Sequence, residues 1–355
     1  MALPSTFLDA CRRRPVTHTP VWYMRQAGRY QPEYRKIRES YSLVDICKTP
    51  ELCMQVTKLP VDQLGVDAAI LFSDIMIPVG AMGVEFDIQE HVGPVIASPI
   101  RTEADVARLH TFVPEESLPY VLETIRLLKA NLSVPLIGFA GAPFTLASYL
   151  VEGRPSRDYV KTKQLMWSRP DLWFQLMDKL ADSTIPYLRA QVAAGAAALQ
   201  IFDSWVGSLA PEDFRTFVLP TMRRIFSALA DLDVPLIYFG KDTAELLADF
   251  TETGATVIGV DWKIPLSEAC RRVGREFAVQ GNLDPVLLFA PWSAIEPRVR
   301  AIIDAGLRHS GFVFNLGHGV THHNPPVDPA ILQRLTAFVH EYSMERMGME
   351  VAQHD

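Results

Sequence analysis

The sequence contains few cysteines. Four occur in 355 residues, at positions 11, 47, 53 and 270, and their spacing matches neither a zinc-finger pattern nor a disulfide framework. This scarcity excludes the small secreted domains that depend on several disulfides. The simplest interpretation of each cysteine is a small buried apolar residue, which fits a protein of the reducing cytoplasm.

Long apolar runs and excess positive charge are also absent. No uncharged apolar run approaches the roughly 20 residues that a membrane-spanning helix needs, and the N-terminal residues lack the pattern of a signal peptide. The formal net charge of −7 gives the chain no global attraction to nucleic acids or anionic membranes. We therefore expect a cytoplasmic protein that binds neither nucleic acid nor membrane.

Three common functional signatures are missing. No glycine-rich phosphate-binding motif follows the first apolar run, since Gly28 stands alone. No Gly-x-Ser-x-Gly motif surrounds Ser204, which argues against a serine nucleophile. His322 and His323 follow closely on His318, but there is no His-Glu-x-x-His motif and no nearby cysteine. A zinc site at these histidines is therefore the less favoured interpretation, and we predict no metal there.

What the chain does contain is a series of short apolar runs separated by helical patterns. The runs number eight and occupy residues 20–24, 68–73, 135–139, 198–202, 235–239, 256–260, 277–281 and 311–316. Continuous apolar runs are typical of parallel strands that are buried on both faces. The pattern predicts an α/β fold, a single-domain (β/α)8 TIM barrel over residues 1–355, with a doubly wound sheet as the alternative.

Two further patterns refine this prediction. Residues 80–100 alternate between apolar and polar and are rich in strand-forming residues, which predicts an inserted β-hairpin after the second strand. Helical patterns cover residues 116–131, 169–194 and 211–232. Pro50 and Pro211 stand where the first turn of a helix would begin.

Polar side chains follow the predicted strands. In a barrel of this kind, the carboxyl ends of all strands meet at one rim, where active sites lie. The residues expected at this rim include Arg25, Arg29, Asp74, Tyr149, Ser204 and His318. Such a concentration of polar groups favours an enzyme over a scaffold.

Most of these residues also have a purely structural interpretation. Asp74 and Ser204 are equally suited to cap helices, and Tyr149 lies in an apolar helical stretch that predicts core packing. Arg25 and Arg29 would share one face if their segment turned helically, and guanidinium groups suit carboxylates or phosphates. The alternative for both arginines is a surface ion pair.

Two stretches resemble the signatures of a known family. Trp22-Tyr-Met-Arg-Gln-Ala-Gly-Arg-Tyr30 and Gly138-Phe-Ala-Gly-Ala-Pro-Phe-Thr-Leu-Ala-Ser-Tyr149 are similar to two signature stretches of the uroporphyrinogen decarboxylase family. Residues 72–74, 202–204 and 315–319 also match its pattern, and the similarity extends from Phe7 to Tyr342. The resemblance implies a (β/α)8 barrel, usually a homodimer, that needs neither metal nor organic cofactor.

The resemblance also implies a reaction and a set of site residues. Family members convert the four acetate side chains of uroporphyrinogen III into methyl groups and give coproporphyrinogen III, a precursor of haem and chlorophyll. The family's substrate-binding positions fall here on Arg25, Gln26, Ala27, Gly28, Arg29, Asp74, Tyr149, Ser204 and His318. Asp74, Arg25 and Arg29 are the expected catalytic residues, and the proton donor remains open among an arginine, Asp74, Tyr149 and water.

Two alternative functions belong to other classes. Corrinoid or thiol methyltransferases of the same superfamily resemble this fold but hold zinc on a His-x-Cys pair. Here His318 is followed by Gly319 and Val320, and no cysteine lies beyond Cys270, which counts against this alternative. A non-catalytic tetrapyrrole carrier would need the arginines but would have no use for a charged aspartate at the centre of the ring.

Overall fold

A parallel β-sheet forms the centre of the molecule. The computed structural model describes residues 5–89 and 92–352. The strands are β1 Ala69–Ile70, β2 Phe86–Gln89, β3 Gly93–Ile96, β4 Leu136–Gly141, β5 Ala198–Asp203, β6 Leu236–Gly240, β7 Val257–Gly259, β8 Ala278–Leu283 and β9 Phe312–Leu316. Strands β1 and β4 to β9 pair in sequence order, and every pair is parallel.

Helices connect the strands of this sheet. The α-helices are α1 Thr6–Cys11, α2 Pro32–Ser40, α3 Leu43–Lys48, α4 Pro50–Leu64, α5 Ile77–Ala81, α6 Glu103–Arg108, α7 Pro114–Ser117, α8 Pro119–Asn131, α9 Pro143–Glu152, α10 Val160–Ser168, α11 Pro170–Ala194, α12 Pro211–Phe217, α13 Leu219–Leu229, α14 Leu247–Phe250, α15 Leu266–Val273, α16 Trp292–Leu307 and α17 Pro329–Ala352. Short 3-10 helices cover Val206–Ser208, Ala230–Leu232, Ala244–Leu246, Thr251–Thr253 and Pro285–Phe289. The architecture is thus an α/β fold with a seven-stranded parallel sheet. The α/β class and the parallel strands predicted from the apolar runs are confirmed.

Proline divides two of the predicted helices. The segment 211–232 forms α12 and α13 instead of one helix, because Pro220 has no N–H to continue the hydrogen-bond pattern of α12. The segment 116–131 is likewise divided before Pro119. The long helix predicted over 169–194 is present as α11, with Arg169 as its N-cap residue.

The first predicted strand, residues 20–24, is reduced to a single bridge. Val21 pairs in parallel with Phe314 of β9, and its carbonyl accepts a hydrogen bond of 2.8 Å from the backbone N–H of Asp67, just before β1. This segment therefore contacts the edge strand β9 and the residues directly before the other edge strand, β1.

Side chains explain why residues 20–24 do not continue as a regular strand. Three of their backbone N–H groups donate to side-chain oxygens instead of a neighbouring strand: Val21 to Asp67 Oδ2 at 2.7 Å, Tyr23 to Gln26 Oε1 at 3.1 Å, and Met24 to Asn315 Oδ1 at 3.1 Å. Each N–H is satisfied, but the repeating ladder that defines a strand cannot form.

A buried polar chain fixes the same segment against the sheet. Trp22 Nε1 donates to Gln280 Oε1 of β8 at 2.9 Å, and Gln280 Nε2 donates to Gln200 Oε1 of β5 at 3.0 Å. All three side chains are buried, so these bonds are shielded from competing water. The chain orients the segment that leads to Arg25.

An antiparallel pair lies within residues 80–100. Strands β2 and β3 pair from Phe86 opposite Ile96 to Gln89 opposite Gly93. Residues 90 and 91, where the turn of the predicted hairpin would fall, lie outside the described residues. The backbone N–H of Ile96 donates to the carbonyl of Gly153 at 2.8 Å, which connects β3 to the end of α9.

Candidate active site

A cavity of about 550 Å³ opens at the carboxyl ends of the parallel strands. All nine positions predicted from the sequence line it: Arg25, Gln26, Ala27, Gly28, Arg29, Asp74, Tyr149, Ser204 and His318. They come from the loop after residue 24 and from the segments that follow β1, β4, β5 and β9. The parallel arrangement brings them together, since the carboxyl ends of all these strands lie at one edge.

Arg25 packs against the loop that contains Gly319 and Val320. It has a positive φ of 57°, and the carbonyl of the preceding Met24 accepts a hydrogen bond of 2.9 Å from the N–H of Val320. The Arg25 side chain packs against Gly319, where a Cβ atom would lie only 2.5 Å from Arg25 Cδ. Arg25 is exposed, and it forms no ion pair within the described part of the chain. A cation held in this way is available to a ligand.

Arg29 reaches the cavity without the helical turn that the sequence suggested. Residues 24–31 form turns and bends, and α2 begins only at Pro32. The turn is held by side chains, with Gly28 N donating to Gln31 Oε1 at 3.1 Å and Tyr30 Oη to the Gln26 carbonyl at 2.5 Å. The two arginines therefore line one cavity through a turn and not through the face of a helix.

A histidine accompanies Arg29 at the mouth of the cavity. Arg29 Nη1 lies 3.3 Å from His322 Nε2, and His322 also lines the cavity. His323 does not line it and instead contacts the ring of Phe289 with a centroid distance of 5.4 Å. Within residues 5–89 and 92–352, the side chains close enough to share a metal ion are His18, Asp67 and His340, and none of them lines this cavity.

Gln26 has a structural role in addition to its place in the lining. Its side chain is fully buried, accepts the N–H of Tyr23 and donates to the carbonyl of Ala68 at 3.1 Å. Both ends of the amide are thereby used within the protein. The side chain of Gln26 therefore holds the turn in place.

Asp74 lies in a part of the cavity that disfavours its charge. Its Oδ1 accepts a hydrogen bond of 2.9 Å from the backbone N–H of Met76, directly before α5. Burial raises the pKa of Asp74, while this hydrogen bond and the positive charge of Arg25 act in the opposite direction. Asp74 is not the N-cap residue of α5, which is Met76, so the helix-cap interpretation is wrong in that form. Its carboxylate instead holds the turn before α5 and lines the cavity.

Tyr149 is held in place by an aromatic neighbour. Its ring meets that of Trp205 edge-on at 5.7 Å. Burial and, second, the negative charge of Asp74 raise the pKa of Tyr149 to about 12. The phenol consequently keeps its proton at neutral pH and faces the cavity as a hydrogen-bond donor.

His318 is neutral at physiological pH. Burial, and then the charges of Arg25 and Lys241, lower the pKa of His318 to about 3. The flanking glycines are required by close packing, since a Cβ at Gly317 would lie 2.3 Å from the backbone nitrogen of Trp262. The imidazole is thus presented by a tightly fitted loop and can both donate and accept a hydrogen bond.

A buried aspartate supports the wall that carries Ser204. Asp203 accepts hydrogen bonds of 2.6 Å from Thr145 Oγ1 and from Tyr238 Oη. Thr145 Oγ1 in turn accepts the backbone N–H of Trp205 at 3.2 Å. Ser204, which lines the cavity, lies between two residues that this network fixes.

Further residues complete the lining. Lys241 follows β6, where the sequence predicted a polar group at the rim, and its Nζ lies 5.9 Å from the centroid of the Trp205 ring. Its ammonium group is 3.5 Å from Asp242. The apolar part of the lining includes Phe72, Phe139, Phe202 and Phe239, which looked like ordinary strand residues. These rings lower the polarity around Asp74 and strengthen electrostatic interactions there.

Comparisons with known proteins identify the family of the chain. The sequence model described as "Uroporphyrinogen decarboxylase (URO-D)" matches residues 3–342. The chain belongs to the uroporphyrinogen decarboxylase family. It is 57% identical over 339 residues to the uroporphyrinogen decarboxylase of Geobacillus kaustophilus (strain HTA426), covering 95% of this chain and 97% of the relative. The protein of that name from Bacillus subtilis (strain 168) is 55% identical over 345 residues, with 97% of both chains covered.

Solved structures of other proteins share the fold. A methyltransferase from Methanosarcina mazei superposes with a TM-score of 0.80 at 22% sequence identity, covering 96% of this chain and 99% of that chain. A B12-independent methionine synthase from Shewanella sp. W3-18-1 gives a TM-score of 0.57 at 10% identity, covering 88% and 91%. At these identities the likeness concerns the fold alone. Among the described residues, none of the helices combines the length and the apolarity that crossing a bilayer requires.

Proposed function

We propose that this chain is a carboxy-lyase that decarboxylates the four acetate side chains of uroporphyrinogen III to methyl groups. The product is coproporphyrinogen III. The observation that carries the proposal is Asp74 in an aromatic cavity that Arg25 and Arg29 also line. Relatives more than half identical to this chain over nearly its whole length carry the name of this activity.

The reaction needs a place for the electrons left when carbon dioxide departs. Protonation of the ring carbon next to the acetate-bearing carbon makes the ring a cationic, iminium-like acceptor. The C–C bond to the carboxylate then breaks, and its electron pair forms an exocyclic methylene group and neutralises the ring. A proton added to this methylene completes the methyl group, and loss of the first proton from the ring carbon restores the pyrrole. Because the substrate itself is the electron sink, the reaction needs no organic cofactor or metal.

Asp74 is the residue suited to stabilise this cation. A carboxylate about 4 Å from a unit positive charge gains about 4 kcal/mol at an effective dielectric constant of about 20. The aromatic lining and the raised pKa of Asp74, caused by burial, both indicate surroundings in which such a charge interaction is strong. Stabilisation that exists only in the transition state increases the rate, whereas uniform binding does not.

The arginines neutralise and orient the substrate's carboxylates. Arg25, Arg29 and Lys241 bring three cationic side chains to a cavity whose carboxylate is Asp74. Guanidinium groups bind carboxylates through two parallel hydrogen bonds, which fixes the acetate that reacts. Tyr149, Ser204 and the neutral His318 supply uncharged hydrogen-bonding groups for the other side chains.

A methyltransferase activity is the second candidate and is disfavoured. The likeness to the Methanosarcina protein concerns the fold alone. No cysteine is among the residues that line the cavity, and His318 is followed by Gly319 and Val320, so the His-x-Cys zinc pair is missing. A tetrapyrrole carrier would leave the buried charge of Asp74 unexplained.

We also propose a barrel closure, an oligomeric state and a cellular location for this chain. We infer a single-domain (β/α)8 barrel in which residues 20–24 take the place of the eighth strand, since Val21 contacts both Phe314 and Asp67. The family resemblance further suggests a homodimer in the cytoplasm. A crystal structure and sedimentation analysis test the barrel and the dimer, respectively.

Anaerobic incubation with uroporphyrinogen III tests the proposed activity. The products are oxidised and separated by liquid chromatography, and we expect stepwise loss of four carboxyl groups from protein purified in the presence of a chelator. Binding of the substrate without loss of carboxylate would indicate a carrier. Absence of binding and turnover, with methyl transfer to a thiol instead, would favour the methyltransferase.

A further inference from the structure

Three side chains converge at the opposite end of the sheet from the cavity. His18 lies before Val21, Asp67 lies two residues before β1, and His340 is part of α17. His18 Nε2 is 3.0 Å from Asp67 Oδ1, and His340 Nε2 is 2.7 Å from Asp67 Oδ2. The candidate ligand atoms of all three residues lie within 4.8 Å of one another. The cluster thus joins the beginning, the first strand and the last helix of the chain.

The donor set and its geometry suit a zinc ion. Zinc in proteins takes imidazole nitrogen and carboxylate oxygen at about 2.0–2.2 Å, which places tetrahedral ligand atoms about 3.3 Å apart. The present separations of 3.0 and 2.7 Å require only small adjustments to admit the ion. The side chains are 16% to 22% exposed, which leaves a route for an ion and a water ligand.

Neighbouring groups already orient these ligands. His18 Nδ1 lies 3.1 Å from Thr17 Oγ1, which can accept the proton that must sit on Nδ1 when Nε2 binds a metal. The backbone N–H of Val21 donates to Asp67 Oδ2 at 2.7 Å and holds the carboxylate. The two imidazole rings meet edge-on with centroids 4.4 Å apart. The Nε2 atom of each ring contacts the carboxylate of Asp67.

We propose that His18 Nε2, His340 Nε2 and the carboxylate of Asp67 bind one zinc ion, with water as a fourth ligand. The site is separate from the decarboxylation cavity and does not depend on the proposed activity. Because the ligands come from distant parts of the chain, the ion binds the folded state alone and stabilises it by mass action. The zinc would cross-link the segment around His18 and the residues before β1 to α17.

Direct zinc binding to the full chain tests the proposal. Protein freed of metal by dialysis against a chelator is titrated with zinc sulfate in competition with a chromophoric chelator, and its melting temperature is recorded with and without zinc. We expect one high-affinity equivalent and a higher melting temperature with zinc. Cobalt(II) in place of zinc should give the intense visible absorption of tetrahedral coordination.

Variants separate this site from other histidines. His340→Gln and Asp67→Asn each remove a ligand, and we expect affinity to fall by more than about 100-fold, since even outer partners contribute about 10–100-fold. Thr17→Val, which removes only an outer partner, should weaken binding by about 10-fold. His323→Gln is the matched control, because that histidine is exposed and outside the cluster, and its zinc binding should equal the parent's.

Two results would overturn the proposal. The first is no stoichiometric zinc binding by a folded, metal-free parent, which would leave the cluster as a hydrogen-bonded His–Asp–His group. The second is binding that survives both His340→Gln and Asp67→Asn, which would move the ion elsewhere. Melting curves in chelator show whether each variant is folded, and Asp67→Asn keeps an oxygen to accept the Val21 N–H.

Discussion

Gly319 and Arg25 pack so closely that no side chain fits between them. A Cβ atom at residue 319 would lie 2.5 Å from Arg25 Cδ, 2.6 Å from its Cγ and 3.0 Å from its Cβ. Because the conflict includes the Arg25 Cβ, a simple change of rotamer cannot relieve it. Glycine at position 319 thus sets where the Arg25 guanidinium stands relative to His318 and Asp74.

Gly319→Ala should therefore impair the site without unfolding the protein. The added methyl group displaces Arg25, and a hydrogen bond to a charged group contributes about 1.5–3 kcal/mol. We expect kcat/KM for uroporphyrinogen III to fall about 10- to 100-fold, measured by steady-state kinetics. Gly348→Ala is the control, since a Cβ there meets no atom within 4 Å. Equal kinetics for both variants would contradict the role given to Arg25.

Asp74→Asn should lower kcat far more than it raises KM. The amide oxygen still accepts the N–H of Met76, so the start of α5 is kept while the charge is lost. An interaction of about 4 kcal/mol in the transition state corresponds to about 1000-fold in kcat. Single-turnover kinetics under anaerobic conditions measure this change separately from binding.

Asp284 provides a matched control for Asp74. Like Asp74, it follows a strand and accepts the backbone N–H of the residue two positions on, here Val286 at 2.9 Å, but it does not line the cavity. Asp284→Asn should leave kcat unchanged. Unchanged kcat in Asp74→Asn as well would remove Asp74 from the chemistry and leave it the structural role of holding the turn before α5.

The sequence allowed much of the sheet and the cavity lining to be predicted. Buried parallel strands are apolar on both faces, so β4 to β9 appear as continuous runs that need no knowledge of their partners. Since parallel strands end at one edge, the residues after them were expected to meet, and Asp74, Tyr149, Ser204 and His318 do line one cavity. Both inferences depend on local sequence and on a general rule of topology.

What could not be predicted depends on contacts between distant residues. Residues 20–24 are as apolar as a strand, yet Asp67 and Asn315 accept two of their N–H groups and interrupt the ladder. The His340 contact with Asp67 is equally invisible, because no spacing rule connects residues from opposite ends of the chain. Sequence patterns describe burial, whereas these features are set by individual hydrogen bonds.

Arg29→Ala should raise KM about 10- to 100-fold with a smaller change in kcat, because a bound carboxylate loses a charge-assisted hydrogen bond. Arg29→Lys keeps the charge but loses the planar guanidinium, so its KM should lie between those of the parent and of Arg29→Ala. Arg126 forms an exposed ion pair with Glu123 at 3.1 Å, so Arg126→Ala shows what loss of a surface pair does. If Arg29→Ala is as harmless as Arg126→Ala, the surface-pair interpretation of Arg29 is correct.

The buried carboxyl of Asp203 should make stability depend on pH in an unusual direction. Burial raises the pKa of Asp203 from 3.8 to about 6, although hydrogen bonds from Thr145 and Tyr238 act in the opposite direction. Between these pH values the folded state binds the proton more tightly than the unfolded state, so the free energy of unfolding falls as pH rises. This rise in the pKa of Asp203 corresponds to a stabilisation of about 3 kcal/mol, which is lost as pH rises from about 4 to 6.

Asp203→Asn isolates this contribution, because the amide does not titrate. Urea unfolding between pH 4 and 7 gives the difference in free energy of unfolding between parent and variant, and that difference should shrink as pH rises, whatever the constant cost of the substitution. Tyr238→Phe removes a hydrogen bond that holds the pKa of Asp203 down, so the same loss of stability should extend to higher pH. A difference between parent and Asp203→Asn that does not change with pH would show that Asp203 ionises as readily in the folded state as in the unfolded chain.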